Sequence, residues 1–212
     1  IAAVTFDQPA TIEKLLARGF DQNTTNEKGV TGILIALQSE SPKAAMLLAK
    51  HPGTNLNAQN SAGETPLMLA AINNNLALAK LLIERGADVN KSGWTPLHYA
   101  ATRGHRDMMR LLLENDAYID SESSGGTTPL MMATKFGTPL AVKLLLEEGA
   151  DPVLILDDIF AELDNQRRQQ LTAVTQLAEQ TIITTAVESD LPPELLSAKF
   201  YVTPGKVSAT DG

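Results

Sequence analysis

Two adjacent carboxylates, Asp157 and Asp158, are the side chains of this sequence best placed to do chemistry. They directly follow a continuous apolar run at residues 153–156, which is typical of a strand buried on both faces. A buried strand that runs into carboxylates is also found in nucleotide-hydrolysing enzymes, where such groups bind Mg²⁺ and orient water. The structural alternative is that the two aspartates end the strand and that Asp164 caps the helix after it.

Nucleotide hydrolysis also needs a phosphate-binding loop, in which Gly-Lys-Ser/Thr enters a helix after a strand. That pattern does not occur in the 212 residues, and the Ser- and Gly-rich stretch at residues 121–126 has no lysine. Phosphoryl transfer is catalysed mainly by positioning and charge stabilisation, so carboxylates without a phosphate cradle have nothing to act on. We therefore predict that the chain is not an enzyme by itself, has no catalytic residue and needs no cofactor or metal.

The elements upstream of this strand form an internal repeat. Each copy has Thr-Pro-Leu followed by Ala, except that Gly-Ile replaces Pro-Leu in the first copy. The copies are 34, 30 and 33 positions apart and begin at Thr31, Thr65, Thr95 and Thr128. A second apolar run follows each of the last three copies and ends at a turn residue: Gly86, Asp116 and Gly149. Residues 12–23 supply the second half of an earlier copy.

Local physics predicts that each copy is a pair of helices. Thr caps a helix well and Pro is favoured at its first position, while Leu and Ala three and four residues apart form one apolar face. No unit buries its faces alone, so stability must come from stacking. The pattern resembles the ankyrin repeat over residues 1–152, as one partial and four full units. That resemblance implies a mainly α fold, an ankyrin-repeat solenoid of helix–turn–helix units with β-hairpin fingers.

The same resemblance implies a module that binds a protein partner through its finger tips and the concave face of each first helix, without chemistry. The matching finger positions are Glu64, Trp94 and Thr127. The matching first-helix positions are Ile72, Asn73, Thr102, Arg103, Lys135 and Phe136. Trp94 is the only tryptophan of the chain, and Trp and Arg are favoured interface anchors. The alternative for Trp94 is packing on its own finger or on the neighbouring one.

The three histidines are predicted to be structural rather than ligands. His98, in Thr-Pro-Leu-His, is expected to bond to the backbone of the neighbouring loop and stiffen the stack. His105 lies where a turn leads into a second helix, and His51 is in a loop. The histidines are too scattered for a metal cluster, and the absence of cysteine removes disulfides and Cys-based zinc sites.

Residues 153–212 leave the repeat pattern and follow an α/β order of strand, helix and strand. We predict a helix at 164–179 with Asp164 as its N-cap, a second strand at 181–187, and a short helix that starts at a proline in "PPELL". A hairpin-like pair of strands is expected to turn at Pro204-Gly205. This part is predicted to be a small α/β fragment.

The sequence motifs of this fragment resemble those of a known class of ATPases. "VLILDD" followed by "AELD" resembles the Walker B motif and D-loop of ABC-type ATPases, and the order through "DLPPEL" and "PGKVS" resembles the C-terminal end of the RecF family of bacterial recombinational-repair ATPases. By that resemblance Asp157 helps to hold Mg²⁺, Asp158 activates water, and residues 161–164 face a partner subunit across ATP. The alternative function is therefore a component of a RecF-like DNA-repair ATPase. Its Walker A and signature motifs, with ATP and Mg²⁺, would come from elsewhere.

The junction between the two parts has two explanations. One is a natural or constructed fusion, whose unpaired strand edges could support self-association; the other is a composite spliced at "GADP". The motifs favour a splice, because each side follows its own family's pattern up to the junction.

Composition limits the remaining possibilities. The net charge is −8 and acidic residues outnumber basic ones in both parts, so we expect no direct binding to nucleic acid. No apolar run is long enough to span a membrane. We expect a cytoplasmic protein, or a periplasmic one if a signal peptide has been removed.

Overall fold

The structure is a computed structural model. It describes residues 1–151, 153–157, 160, 163–175, 180–185, 191–195, 200–203 and 206–209. The chain divides into two compact units, Ile1–Ala150 and Asp151–Gly212. Each unit is described below by itself.

The first unit is built from consecutive helix pairs. The first helices of the pairs are α1 (Ala2–Thr5), α3 (Gly32–Gln38), α5 (Pro66–Ile72), α7 (Pro96–Arg103) and α9 (Pro129–Lys135). The second helices are α2 (Pro9–Ala17), α4 (Pro42–Lys50), α6 (Leu76–Glu84), α8 (Arg106–Leu113) and α10 (Pro139–Glu147). The fold of this unit is therefore helical, as the repeat pattern predicted. A short first helix, α1, stands at the start of the chain, where sequence reasoning identified only a second half.

The first helices begin where Thr-Pro predicted. The side chains of Thr65, Thr95 and Thr128 accept hydrogen bonds from backbone amides of the first turn, at 3.4, 3.4 and 3.3 Å. Thr31, followed by glycine, makes no such bond, and its Oγ1 is buried without a hydrogen-bond partner. The copy that matches the repeat pattern least well therefore also lacks the capping hydrogen bond at the start of its first helix.

One apolar core runs through the stacked pairs. Buried leucines alternate with alanines that have essentially no exposed surface, such as Ala70 and Ala100, and these small side chains allow neighbouring helices to approach closely. Hydrogen bonds from side chains to the backbone of the next helix pair reinforce the stack. Asn57 Oδ1 accepts from the Asp88 amide at 2.8 Å, and Asn90 Oδ1 accepts from the Tyr118 amide at 2.7 Å. The Asn of the repeat pattern therefore fixes the register between units.

The fingers are tight turns without strands among the described residues, so the expected β-hairpins occur there only in minimal form. In the finger before α5, the Asn60 amide donates to the Glu64 carbonyl at 3.1 Å and the Gly63 amide donates to the Asn60 carbonyl at 2.9 Å. The finger arms are too short for a ladder, and Thr25 and Thr31 form an isolated bridge rather than a strand. The fingers therefore offer side chains rather than a sheet edge to a partner.

The second unit has the predicted order of strand, helix and strand. β1 (Val153–Asp157) pairs in parallel with β2 (Gln180–Thr184), and α11 (Asn165–Thr175) lies between them in sequence. Asp164 caps α11, because its Oδ1 accepts from the Arg167 amide at 2.9 Å; this prediction is confirmed.

A short 3₁₀ helix (Pro193–Leu195) and an antiparallel pair complete the second unit. The paired strands are β3 (Phe200–Thr203) and β4 (Lys206–Ala209). The predicted turn at Pro204-Gly205 lies outside the described residues.

Candidate functional site

His98 lies fully buried at the centre of the predicted partner-binding region. Its Nε2 is 2.8 Å from the Thr127 carbonyl, which can only accept, so this nitrogen donates. The other nitrogen, Nδ1, accepts from the Thr95 amide at 3.2 Å. Burial lowers the pKa of His98, although its hydrogen bond to Thr127 acts in the opposite direction. The imidazole therefore joins two successive fingers as a neutral group, and the predicted structural role is confirmed.

His105, at the N-cap of α8, has a similar role. Its Nε2 lies 3.1 Å from the Ile72 carbonyl of the preceding unit. Thr138, at the equivalent position of the next unit, donates to the Ala101 carbonyl at 3.1 Å. These bonds satisfy carbonyls at the ends of first helices, which have no partner within the helix itself.

Trp94 lies on the finger before α7, and its ring contacts the first turn of that helix. The ring centroid is 5.2 Å from that of His98 and 5.7 Å from that of Tyr99, within the range of stabilising aromatic pairs. The residue is still 37% exposed. The structure therefore combines both interpretations of Trp94: it packs on its own unit and also presents a ring to solvent.

Glu64, in the finger before α5, and Tyr99, on α7, connect two neighbouring helix pairs. Glu64 is half-buried and its Oε2 accepts from Asn60 Nδ2 at 2.7 Å. Burial raises the pKa of Tyr99, and so do the negative charge of Glu64 and a hydrogen bond to its carboxylate. Sequence reasoning missed Tyr99. The available signal was its position four residues before Arg103, which places both on the same side of α7.

The remaining predicted residues lie at the ends of the first helices. Ile72 packs partly against the core, and Asn73 is exposed at the end of α5. Thr102 donates to the His98 carbonyl at 2.8 Å, which ties this hydroxyl to its own helix. Arg103, the last residue of α7, is exposed.

Lys135 and Phe136 are the counterparts of Thr102 and Arg103 in the following unit. Both are exposed, Phe136 by 53%, and Lys135 Nζ is 5.8 Å from the centroid of the Phe136 ring. An ammonium at this distance from an aromatic face is favourably placed. We call the surface formed by the nine predicted residues and Tyr99 the first-helix surface.

The two aspartates that opened the sequence argument lie in the second unit. Asp157 is the last residue of β1, in register with Thr184 of β2. Asp158 lies outside the described residues, as do residues 161 and 162 of the predicted D-loop. Among the residues that the structure describes, no three His, Asp or Glu side chains form a group that could hold a metal ion. None of the described helices is long and apolar enough to cross a bilayer.

Two grooves lie in the first unit. One, of about 840 Å³, lies between α2 and α4 and is mainly apolar, with Leu16 and Met46 in its lining. A second, of about 530 Å³, lies at the turn after α5 and includes Asn73. Asn73 is the one predicted contact residue among the lining residues of these two grooves.

Comparison with protein families gives a match for the first unit. The model for ankyrin repeats, in three copies, matches residues 1–92 and 87–155. This region contains all the helix pairs and each residue of the first-helix surface.

Part of the chain is similar to curated proteins that are named DNA replication and repair protein RecF. The protein from Rhodococcus erythropolis is 58% identical over 59 residues, which are 28% of this chain and 14% of that protein. The one from Nocardioides is 51% identical over 67 residues, or 32% and 16%. The one from Cutibacterium acnes is 41% identical over 90 residues, or 42% and 22%. The chain thus spans less than a quarter of the length of these relatives.

Proposed function

The chain belongs to the ankyrin-repeat family, and from this premise we propose that it binds a protein partner through the first-helix surface without chemistry of its own. The observation that carries the proposal is a contrast within the first helices. Most of their residues are buried in the stack, whereas Asn73, Arg103 and Phe136 lie exposed at equivalent positions of three successive units. A constant scaffold with different exposed side chains at equivalent positions is how repeat proteins build extended binding surfaces.

Trp94, Arg103 and Phe136 are the proposed anchors. Large aromatic and arginine side chains dominate the energetics of many interfaces because they bury area and pair with a partner at modest entropic cost. The remaining predicted residues, Glu64, Ile72, Asn73, Thr102, Thr127 and Lys135, form the surroundings of these anchors. Several of them are already hydrogen-bonded within the protein, so we assign them mainly to shaping the surface.

The test is affinity capture with two matched triple variants, read by quantitative mass spectrometry. One variant is Trp94→Ala, Arg103→Ala and Phe136→Ala. The control is Phe20→Ala, Tyr118→Ala and Lys80→Ala, which also removes two exposed aromatic rings and one cation. We expect proteins captured by the wild type to be kept by the control and lost by the first variant, each anchor costing more than about 1 kcal/mol. Equal capture by both variants would reject the proposal.

A component of a RecF-like repair ATPase is the second candidate. The similarity to RecF proteins and the position of Asp157 at the end of a parallel strand support it. Under this hypothesis ATP and Mg²⁺ bind at Asp157 and Asp158 when another polypeptide supplies the phosphate-binding loop. Self-association through the strand edges of the second unit is compatible with it.

The melting temperature with and without ATP·Mg²⁺ tests whether this chain alone has a nucleotide site. A ligand present at about 100 times its Kd stabilises a protein by about 2.7 kcal/mol, which is a readily measured shift. The binding-module proposal expects no shift for this chain alone, and a shift that Asp157→Asn abolishes would favour the ATPase component.

A further inference from the structure

A strip of side chains on the first-helix surface follows α7 from its finger to its end and includes the equivalent end of α9. Trp94 contacts Tyr99, and Arg103 follows Tyr99 by four residues on the same side of α7. Phe136 occupies the position of Arg103 on the adjacent helix α9, with Lys135 beside it. Helices packed directly on each other lie about 8–10 Å apart. The strip therefore combines an aromatic centre with two cations carried on neighbouring helices.

The charge of this strip is positive although the whole chain carries −8. Within the described residues, the ion pairs are Arg110–Asp107, Lys143–Glu147 and Arg167–Asp164, so neither Arg103 nor Lys135 is paired. Glu64 is the acidic member of the first-helix surface, and its carboxylate is hydrogen-bonded to Asn60 and Tyr99. Among the residues that the structure describes, Lys135 therefore lies beside the Phe136 ring, Arg103 lies on the same side of α7 as Tyr99, and neither cation has an ion-pair partner.

The structural alternative for the two cations is stabilisation of their own helices. A cation in the last turn interacts favourably with the helix dipole, by about 0.3–1 kcal/mol. That role explains a cation at each helix end, but it does not account for the exposed Phe136 ring beside Lys135. Two cations on an acidic chain are also few for nucleic acid, whose affinity depends on many phosphate contacts.

We propose that the first-helix surface binds an extended acidic segment of its protein partner, and this inference rests on the proposed function. Two carboxylates of the segment pair with Arg103 and Lys135, and an apolar side chain on the finger side of them packs against Tyr99 and Trp94. Extended chain advances about 3.3 Å per residue, so carboxylates about three residues apart match cations on adjacent helices. Arg103 can pair with a carboxylate through two parallel hydrogen bonds, which adds directional preference.

Trp94 fluorescence tests the proposal in the full chain, because it is the only tryptophan. The probes are three synthetic peptides that carry Glu, Gln or Lys at every third position, with Leu and Ser at the others. A single-stranded oligothymidylate is the fourth probe. We expect the Glu peptide to shift the emission and to bind at least about tenfold more tightly than the Gln peptide, which corresponds to about 1.4 kcal/mol.

Matched charge reversals locate the binding. Arg103→Glu with Lys135→Glu should weaken binding of the Glu peptide at least about tenfold. Lys14→Glu with Lys80→Glu, on the outer helices α2 and α6, makes the same change of net charge and should have no comparable effect. Circular dichroism on both variants confirms that they are folded.

The remaining outcomes overturn the inference in distinguishable ways. Equal binding of the Gln or Lys peptide leaves the binding surface in place but removes the acidic specificity. If only the oligothymidylate shifts the emission, the surface binds nucleic acid and not an acidic protein segment. If no probe changes the Trp94 emission, the acidic-segment proposal is rejected. The capture experiment with the Ala variants then decides whether the surface binds protein at all.

Discussion

A single backbone torsion distinguishes the turn after α8 from its neighbours. Asp116 has φ 63°, where the equivalent Gly86 and Gly149 have φ 88° and 94°. An L residue in this left-handed region costs about 1–2 kcal/mol, and somewhat less for Asp. We expect Asp116→Gly to raise the free energy of unfolding by about 1 kcal/mol, measured by urea denaturation. Asp116→Ala should lower it, and a shift in the same direction for both variants would contradict the strain argument.

His98 should make the stability of the first unit depend on pH. Its pKa in the folded state lies below the ordinary value of 6.5, chiefly because it is buried. Between those two pKa values the unfolded chain binds a proton that the folded chain excludes, so the free energy of unfolding falls as the pH drops below about 6.5. His98→Gln can still donate to the Thr127 carbonyl but does not titrate. Urea unfolding between pH 5 and 8 should give the variant a shallower profile, and parallel profiles would exclude His98 as the cause.

At the scale of elements, the last helix pair presents a face that earlier pairs bury. Met131 is 44% exposed, whereas its equivalents in the preceding first helices, Leu34, Met68 and His98, are 0%, 1% and 0% exposed. Met68→Lys should therefore cost more than about 3 kcal/mol, because it buries a charge and removes packing. Met131→Lys should change the free energy of unfolding by less than about 1 kcal/mol. Thermal melts of the two variants check the contrast, and similar losses would mean that Met131 is covered.

The starts of helices were predictable from sequence, but the contacts of the fingers were not. Thr95 followed by Pro defines a helix start through local capping alone, and the structure has it there. The bond between Glu64 and Tyr99 depends on how a finger meets the first helix of the following helix pair in three dimensions. Arg85 is a further example: its guanidinium donates to the carbonyls of Ala49 and His51, which belong to the preceding helix pair. Such bonds join residues about one repeat apart, and no local pattern marks them.

On the scale of the whole molecule, the two units differ in how their cores are built. The first has a continuous apolar core that extends from Val4 to Ala150. In the described part of the second, β1 pairs with β2 alone, and Ile182 of that sheet is 45% exposed. Sheets with so few strands are marginally stable unless other elements cover them. The sequence predicted the order of these strands because their apolar runs are local, but burial by long-range neighbours was not encoded in any short motif.

Limited proteolysis of the full chain should reveal this difference. A protease of broad specificity is expected to cut within residues 151–212 first and to leave a resistant product that ends near Ala150, because local opening costs least where few apolar contacts are lost. Mass spectrometry of the fragments locates the cuts. ATP·Mg²⁺ should not change their rate if the chain acts as a binding module. Protection of residues 151–212 by the nucleotide, lost in Asp157→Asn, would instead mean that the carboxylates at the end of β1 contribute to a nucleotide site.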